Sequence, residues 1–232
     1  MVQGPDLYMR AMKDWTTGVV RGIMDPDPSR GPLGEEKVEN LALRPALARY
    51  LMHLPYGHLG RPETSDTPGR PNQPPNPYYL QFVNLPPYYA GLVVRLIMAS
   101  LLLIIAWLFR RSIVTRGDLS ILYECAAVSL LILLYSPITW KQHCVGVLPA
   151  LFLVCRSGFA GQKELYALFA LVLSREIIGQ DMVKLLDSYR VKTIAIVLLM
   201  LALLGCRQAL LAAALAEKDF IKNTELPHPR CR

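Results

Sequence analysis

The chain changes character about a third of the way along. Residues 1–87 are polar, charged and rich in proline, whereas residues 88–216 consist largely of Leu, Ile, Val and Ala, and residues 217–232 form a polar tail. A helix of about 20 apolar residues crosses the roughly 30 Å hydrocarbon core of a bilayer. The pattern therefore predicts a polar first segment, a transmembrane helical domain and a short tail.

The apolar part divides into four or five predicted membrane helices. Residues 88–109 form the clearest span, residues 119–135 and 144–159 form the next two, and residues 193–216 form the last. Residues 165–173 are short, so a thin span, a re-entrant piece and an interfacial helix all stay open. Every span should be helical, because an open strand leaves backbone groups unpaired in lipid. We expect Pro149 to kink or loosen the third helix.

Basic residues set the expected orientation. Arg110, Arg111 and Arg116 follow the first span directly, which places that end in the cytoplasm by the positive-inside rule. Residues 1–87 and the connection at residues 136–143 then lie on the extracytoplasmic side. The predicted fold class is an all-α integral membrane protein. It would be a multi-pass protein of the cell (plasma or inner) membrane.

Two short helices are predicted within the polar segment. Residues 6–20 have an apolar residue at every fourth position, namely Leu7, Ala11, Trp15 and Val19. We expect Asp6 to cap this helix and its apolar stripe to pack within the protein, with a membrane surface as the other option. The second helix should begin at Pro45, whose missing donor is not needed there, and run to residue 52.

Arg95, Glu124 and Arg207 are ionisable residues inside predicted spans. Arg95 either extends to the outer interface or faces a polar groove and binds an anionic group such as a lipid phosphate. Glu124 should lie about 12 Å from Arg95 in depth by helical rise, too far for a direct ion pair. Arg207, in the last span, is expected to reach the nearer interface with its long side chain.

Composition argues against several classes of function. The net charge of +7 does not indicate nucleic acid, because the basic residues flank apolar runs or are scattered, without a basic and aromatic patch. The five cysteines show no CxxC spacing, and His53 and His58 are five apart, which does not match the helical zinc pair. We therefore expect no metal site and no cofactor.

Two polar motifs stand out against this background. The connection at residues 136–143 reads Ser-Pro-Ile-Thr-Trp-Lys-Gln-His, although Gly, Asn or Ser would suffice for a simple turn. With Leu-Pro-Ala at 148–150, it resembles the Ser-Pro-x-Ser/Thr-Trp-x-x-His…Leu-Pro signature of the polytopic membrane glycosyltransferases of family 87. Residues 39–44, Glu-Asn-Leu-Ala-Leu-Arg, are similar to the Asn-Gln-Ser-Leu-Arg motif of that family.

The resemblance implies a membrane fold of the GT-C type and a sugar-transfer reaction. The expected donor is a polyprenyl-phosphate-linked sugar, typically mannose, held beside membrane lipid, and the acceptor is an unknown extracytoplasmic glycan or lipid. Cationic groups at the outer boundary, Arg49 among them, are expected to converge on the donor phosphate. The implied substrate-binding residues are Asn40, Arg44, Arg95, Trp140, Lys141 and His143. Asn40 would bond either to sugar hydroxyls or to nearby backbone, and Trp140 would either stack on a sugar or anchor at the interface.

Departures from the family pattern leave catalysis open. Leu41 and Ala42 replace the polar Gln-Ser pair, and the acidic catalytic loop that family members carry upstream has no counterpart. Asp25 and Asp27 do not match its position, so no catalytic residue is assigned and enzyme activity is uncertain. We expect the C-terminal portion of such an enzyme. The alternative is a non-catalytic membrane protein: a remnant, an assembly partner or a lipid-binding module.

Overall fold

A computed structural model describes residues 4–31, 34–35, 40–53, 81–110, 119–158, 162–173 and 179–224. This part of the chain is mostly helical. A short antiparallel hairpin pairs β1 (Arg30–Gly31) with β2 (Gly34–Glu35), and a 3₁₀ helix covers Lys141–Val147. The α-helices are α1 (Pro5–Met24), α2 (Leu43–Leu51), α3 (Pro87–Leu108), α4 (Ser120–Tyr135), α5 (Leu148–Arg156), α6 (Gln162–Leu173), α7 (Gln180–Ser188) and α8 (Val191–Thr224).

Two helices are long and apolar enough to cross a membrane by length and composition. These are α3 and the Val191–Ala216 part of α8, which agree with the predicted first and last spans to within two residues. Only 17% of the apolar window of α3 is buried inside the protein, against 50% for α8. Helix α3 therefore turns most of its apolar surface outward, as a lipid-facing helix does.

The other predicted spans are shorter helices. Helix α4 has 16 residues, the apolar helical stretch Gln142–Arg156 follows it, and α6 has only 12 residues. Twelve helical residues extend about 18 Å, well short of the hydrocarbon core. Four or five membrane crossings therefore stay a prediction. Arg111 and Arg116, which set the expected orientation, lie outside the described residues.

The core lies where α8 packs against α4, α5 and α6. Small side chains let these helices approach closely, and larger ones fill the remaining space. Alanines at the contacts are fully or almost fully buried, as are the aliphatic side chains beside them: Ala126, Ala127, Leu130, Leu134, Ala150, Val154, Ala195, Leu199 and Leu203. Helix α8 is thus the central element of the described domain.

Pro149 was predicted to kink or loosen a helix, but it lies at the start of one. It is the second residue of α5, where a proline needs no backbone donor, and the 3₁₀ helix precedes it. Two further boundaries differ from expectation. Gly4, not Asp6, is the N-cap of α1, and α2 begins at Leu43, two residues before Pro45. A proline in the first helical turn is tolerated because that N–H has no intrahelical partner.

The apolar stripe of α1 does not pack within the described protein as expected. Its large side chains are exposed, including Leu7 at 53% and Trp15 at 61%. The helix meets the rest of the chain at its C-terminal end, where the following turn approaches α3. A Cβ atom on Gly91 would lie 1.9 Å from the Pro26 carbonyl oxygen, so this turn fits against α3 only because residue 91 has no side chain.

Arg207 is buried, not extended to an interface as expected. Its side chain is 2% exposed and forms an ion pair with Glu124 on α4, in which Nε lies 3.2 Å from Oε1. Its Nη1 donates to the Leu108 carbonyl at 3.0 Å, and its guanidinium lies 4.8 Å from the centre of the Phe109 ring. One arginine thus connects the C-terminal end of α3 with α4 and α8. The comparison of depths in the membrane considered only Arg95 as a partner of Glu124 and missed Arg207.

Removing one partner of this ion pair should destabilise the protein strongly. We expect Glu124→Gln or Arg207→Met to lower the free energy of unfolding by about 3–5 kcal/mol, because the remaining buried charge is then uncompensated. The double substitution should recover much of that loss. Thermal unfolding of the detergent-solubilised chain measures all three variants. Equal stability of the single variants and the parent would contradict the assignment.

Substitution of Gly91 should disturb the junction between α1 and α3. We expect Gly91→Ala to cost about 1–3 kcal/mol, since the new methyl group occupies the position of the Pro26 carbonyl. Gly205→Ala is the matched control, because a Cβ there meets no atom within 4 Å. It should be neutral or slightly stabilising, as expected for Ala in place of Gly in a helix. Comparison of the two unfolding temperatures tests the contact.

Candidate functional site

Asn40 joins the two sequence motifs through its side chain. Its Oδ1 accepts from the backbone N–H groups of Thr139 at 3.0 Å and Ala42 at 3.1 Å, and its Nδ2 donates to the Pro137 carbonyl at 3.0 Å. The N–H of Leu41 also donates to the Thr139 carbonyl at 2.7 Å. Asn40 is 3% exposed. Of its two expected roles, the structure therefore shows the bonding of nearby backbone.

The start of the last helix holds the same segment from the other side. Arg190 Nη1 donates to the Asn40 carbonyl at 2.8 Å, and Thr193 Oγ1 donates to the Leu41 carbonyl at 3.0 Å. Arg190 has a φ of 53°, in the left-handed region that non-glycine residues seldom adopt. This conformation occurs in the turn between α7 and α8, next to the buried ion pair of Asp187 and Lys192.

Helix α2 is fixed against the same turn. Arg49, which was expected at the outer boundary, is 1% exposed, and its Nε donates to the Ser188 carbonyl at 3.3 Å. Tyr50 donates its phenolic hydrogen to the Tyr189 carbonyl. Burial raises the pKa of the Tyr50 phenol, and the nearby Arg49 opposes that shift. Arg49 thus contributes to the architecture of the site and is turned away from its surface.

Arg44 and Arg95 both bind backbone carbonyls of the protein at the end of α1. Arg44 Nη2 donates to the carbonyls of Asp25 at 2.8 Å and Asp27 at 3.0 Å, and its Nη1 donates to Gly22. Arg95 Nη2 donates to the same Asp25 carbonyl at 3.0 Å and to Met24 at 3.2 Å. Two guanidinium groups thus satisfy the carbonyls at the C-terminal end of α1, where positive charge is favourable.

The carboxylates of the turn after α1 are used locally. Asp25 Oδ1 accepts from the backbone N–H of Asp27 at 2.9 Å. Asp27 Oδ1 accepts from the N–H and the hydroxyl of Ser29, and its other oxygen lies 3.6 Å from Arg30. These bonds give the turn its shape. Neither carboxylate has a geometry that points to catalysis.

The exposed part of the second motif consists of Trp140 and His143. Trp140 is 41% exposed and immediately precedes the 3₁₀ helix, and His143 is exposed within that helix. The backbone N–H of Trp140 donates to His143 Nδ1 at 3.0 Å. A neutral imidazole that accepts at Nδ1 carries its proton on Nε2, so His143 presents a hydrogen-bond donor outward. The Lys141 side chain lies outside the described part of the structure.

A groove of about 290 Å³ opens beside this motif, between α4 and the 3₁₀ helix. Its polar groups are mostly occupied. Thr139 donates to the Leu133 carbonyl at 2.7 Å, Ser136 to Ile138 at 2.8 Å, and Ser129 to Gly146 at 2.9 Å. His143 is the lining residue with an outward donor. Within the described residues, no group of three His, Cys, Asp or Glu side chains is placed to hold a metal ion.

Sequence reasoning missed the contribution of the turn between α7 and α8. The sequence pattern gives Arg190 and Lys192 no role at the site, and it makes Thr193 only the start of the last span. The available signal is the polar run Asp-Ser-Tyr-Arg-Val-Lys-Thr at residues 187–193, directly before that span. Charged residues are common where a membrane helix enters water, so this run alone does not single out a site.

The fold and the site define a class of protein in broad terms. This is a mostly helical protein with two helices able to cross a membrane, and with a polar site built at one end of its helical core. No family model, curated protein or solved structure matches the chain. The function must therefore be inferred from the residues of the site.

Substitution of Asn40 should disconnect the two motifs. We expect Asn40→Ala to lower the stability by about 1–3 kcal/mol for each buried backbone group left without a partner. Asn40→Asp should also be unfavourable, because it replaces the donor to the Pro137 carbonyl with an oxygen. Gln142→Ala is the control, since that neighbouring residue is exposed. Thermal unfolding in detergent provides the measurement, and an Asn40→Ala variant as stable as the control would refute this role.

Proposed function

We propose that this protein is a membrane glycosyltransferase of the GT-C type, or the C-terminal part of one. It binds a polyprenyl-phosphate-linked sugar, with mannose expected, and delivers the sugar to an extracytoplasmic acceptor. The observation that carries the proposal is the direct hydrogen bonding of the two motifs through Asn40. Segments about 100 residues apart, chosen for their resemblance to one enzyme family, meet at one site.

The exposed groups of the site suit the lipid-linked donor. His143 offers an N–H at Nε2, and a phosphate or a sugar hydroxyl is a suitable acceptor. Trp140 beside it offers an exposed aromatic face, which favours stacking on a sugar ring or anchoring at the membrane interface. The apolar lining of the groove between α4 and the 3₁₀ helix, Ile132, Leu133 and Ile138, suits the first part of a polyprenyl chain.

In this proposal Arg44 and Arg95 do not touch the donor directly, because their side chains bind backbone carbonyls of the protein. Their guanidinium groups hold the end of α1 and the turn that follows, so their positive charge is shared with carbonyl oxygens. They contribute a positive potential near the outer boundary, which favours an approaching phosphate. Asn40 positions the motif and makes no direct contact with the sugar, because it is buried.

The positions of the carboxylates support a second candidate function, a non-catalytic protein. Sugar transfer to a hydroxyl requires a base within reach of its proton. No carboxylate lines the groove among the residues that the structure describes, and Asp25 and Asp27 are bonded within their own turn. A non-catalytic membrane protein that binds the lipid-linked sugar would have the same groove. Binding and transfer must therefore be measured separately.

Binding of the donor should depend on His143. We expect His143→Ala to weaken binding of polyprenyl-phosphate-mannose by about 10- to 100-fold, because a hydrogen bond to a charged group contributes about 1.5–3 kcal/mol. Gln142→Ala, in the same 3₁₀ helix, is the matched control and should bind normally. Photo-crosslinking of a labelled donor to the full chain in membranes measures binding.

Transfer of the labelled mannose, assayed in the same membranes, separates the two candidates. Binding with transfer supports the glycosyltransferase, and binding without transfer supports the non-catalytic protein. If the donor binds neither the parent chain nor the control, both are wrong. If binding persists in His143→Ala, the donor site lies elsewhere.

A further inference from the structure

Helix α1 is the largest described element whose apolar side has no partner. At 100° per residue, seven of its apolar side chains share an arc of about 160°, namely Leu7, Tyr8, Ala11, Met12, Trp15, Val19 and Ile23. Met9, Val20 and Met24 lie outside this arc. Most side chains in the arc are exposed, including Tyr8 at 59% and Ile23 at 46%. A soluble surface helix would place this stripe against the core, so another apolar phase must cover it.

The other side of α1 carries its charges. Asp6, Arg10, Lys13, Asp14 and Arg21 lie on the opposite arc. Arg10 stands four residues from both aspartates, a spacing that favours pairing along the helix surface. The helix has three cations and two anions, a net charge of +1. Electrostatic attraction to anionic lipid would therefore be weak. Burial of the apolar side chains would supply most of the binding free energy.

The C-terminal end of α1 is fixed in depth by α3. Arg95 binds the Met24 and Asp25 carbonyls, and the Pro26 carbonyl lies against Gly91. Gly91 lies about 6 Å along α3 from its first residue, and Arg95 about 12 Å. Tyr88 and Tyr89, within one turn of Gly91, are 66% and 58% exposed and suit the aromatic belt of a bilayer.

From these observations we propose that α1 lies in the membrane–water interface, with its Trp15 side in the outer leaflet. An amphipathic helix with aromatic residues on its apolar side binds there, buried about 5–10 Å into the boundary of headgroups and chains. The contacts with α3 hold α1 at that depth, so the bilayer covers its stripe in every copy of the protein. The proposal requires α3 to cross the membrane and is independent of the transferase activity.

Fluorescence of Trp15 in the full chain tests this placement. Trp107→Phe and Trp140→Phe leave Trp15 as the only tryptophan, and the protein is reconstituted into phosphatidylcholine vesicles. We expect blue-shifted emission, shielding from aqueous iodide, and stronger quenching by a nitroxide near the lipid headgroup than by one near the chain end. The matched control carries Trp15→Phe and Thr17→Trp, which moves the fluorophore about 200° around the helix. Its emission should be quenched by iodide.

Each other outcome overturns the proposal in a different way. Equal iodide quenching at both positions places α1 in water. Shielding from iodide without any lipid quenching places Trp15 against protein, such as a second copy. Stronger quenching by the deep label makes α1 a buried span.

A second pair of variants keeps the fluorophore at position 15 and changes the helix instead. Met12→Glu places a charge on the apolar side of α1, and Thr17→Glu places the same charge on the polar side. With Trp15 as the reporter, Met12→Glu should lose most of the protection from iodide, whereas Thr17→Glu should keep it. Identical protection in the two variants would contradict an interfacial helix.

Discussion

The hydrogen bonds of one buried amide hold the polar end of this protein together. Asn40 satisfies two backbone donors and one carbonyl, and its own carbonyl accepts from Arg190. Apart from Ala42, its partners lie 97 to 150 residues away along the chain. Because the bonds to Ala42, Thr139 and Arg190 are buried, the loss of one partner leaves another unsatisfied, which makes the arrangement specific. The polar segment, the connection after α4 and the last helix meet here.

The second motif divides its residues between architecture and recognition. Thr139 is fully buried and bonded on both its backbone and its hydroxyl, so it belongs to the framework. Trp140 and His143 follow directly and are exposed. The backbone bond to His143 Nδ1 fixes which ring nitrogen carries the proton, so the framework also determines what the motif offers to a ligand. Most residues of such a motif thus maintain its structure, and only a few are exposed to a ligand.

The sequence allowed α3 and α8 to be predicted closely because long apolar runs have few alternatives in structure. Pairings between distant residues were beyond its reach. Glu124 and Arg207 are 83 positions apart, and depth estimates compared Glu124 only with Arg95. The role of Asn40 stayed open because an amide bonds equally well to a sugar or to backbone. The prolines at positions 26 and 28 predict where α1 ends, but no local pattern shows that the carbonyls there meet Arg44 and Arg95.

The last helix has one polar attachment at the start of its membrane-length part and a second about two thirds of the way along it. Arg190 and Arg207 are 17 residues apart, about 25 Å along a helix, and one binds the Asn40 carbonyl while the other binds Glu124. Apolar side chains in lipid tolerate sliding of one helix along another, since the packed surfaces resemble one another from turn to turn. A slip of one turn, about 5.4 Å, would break both attachments at once. The two arginines therefore fix the axial register of the bundle.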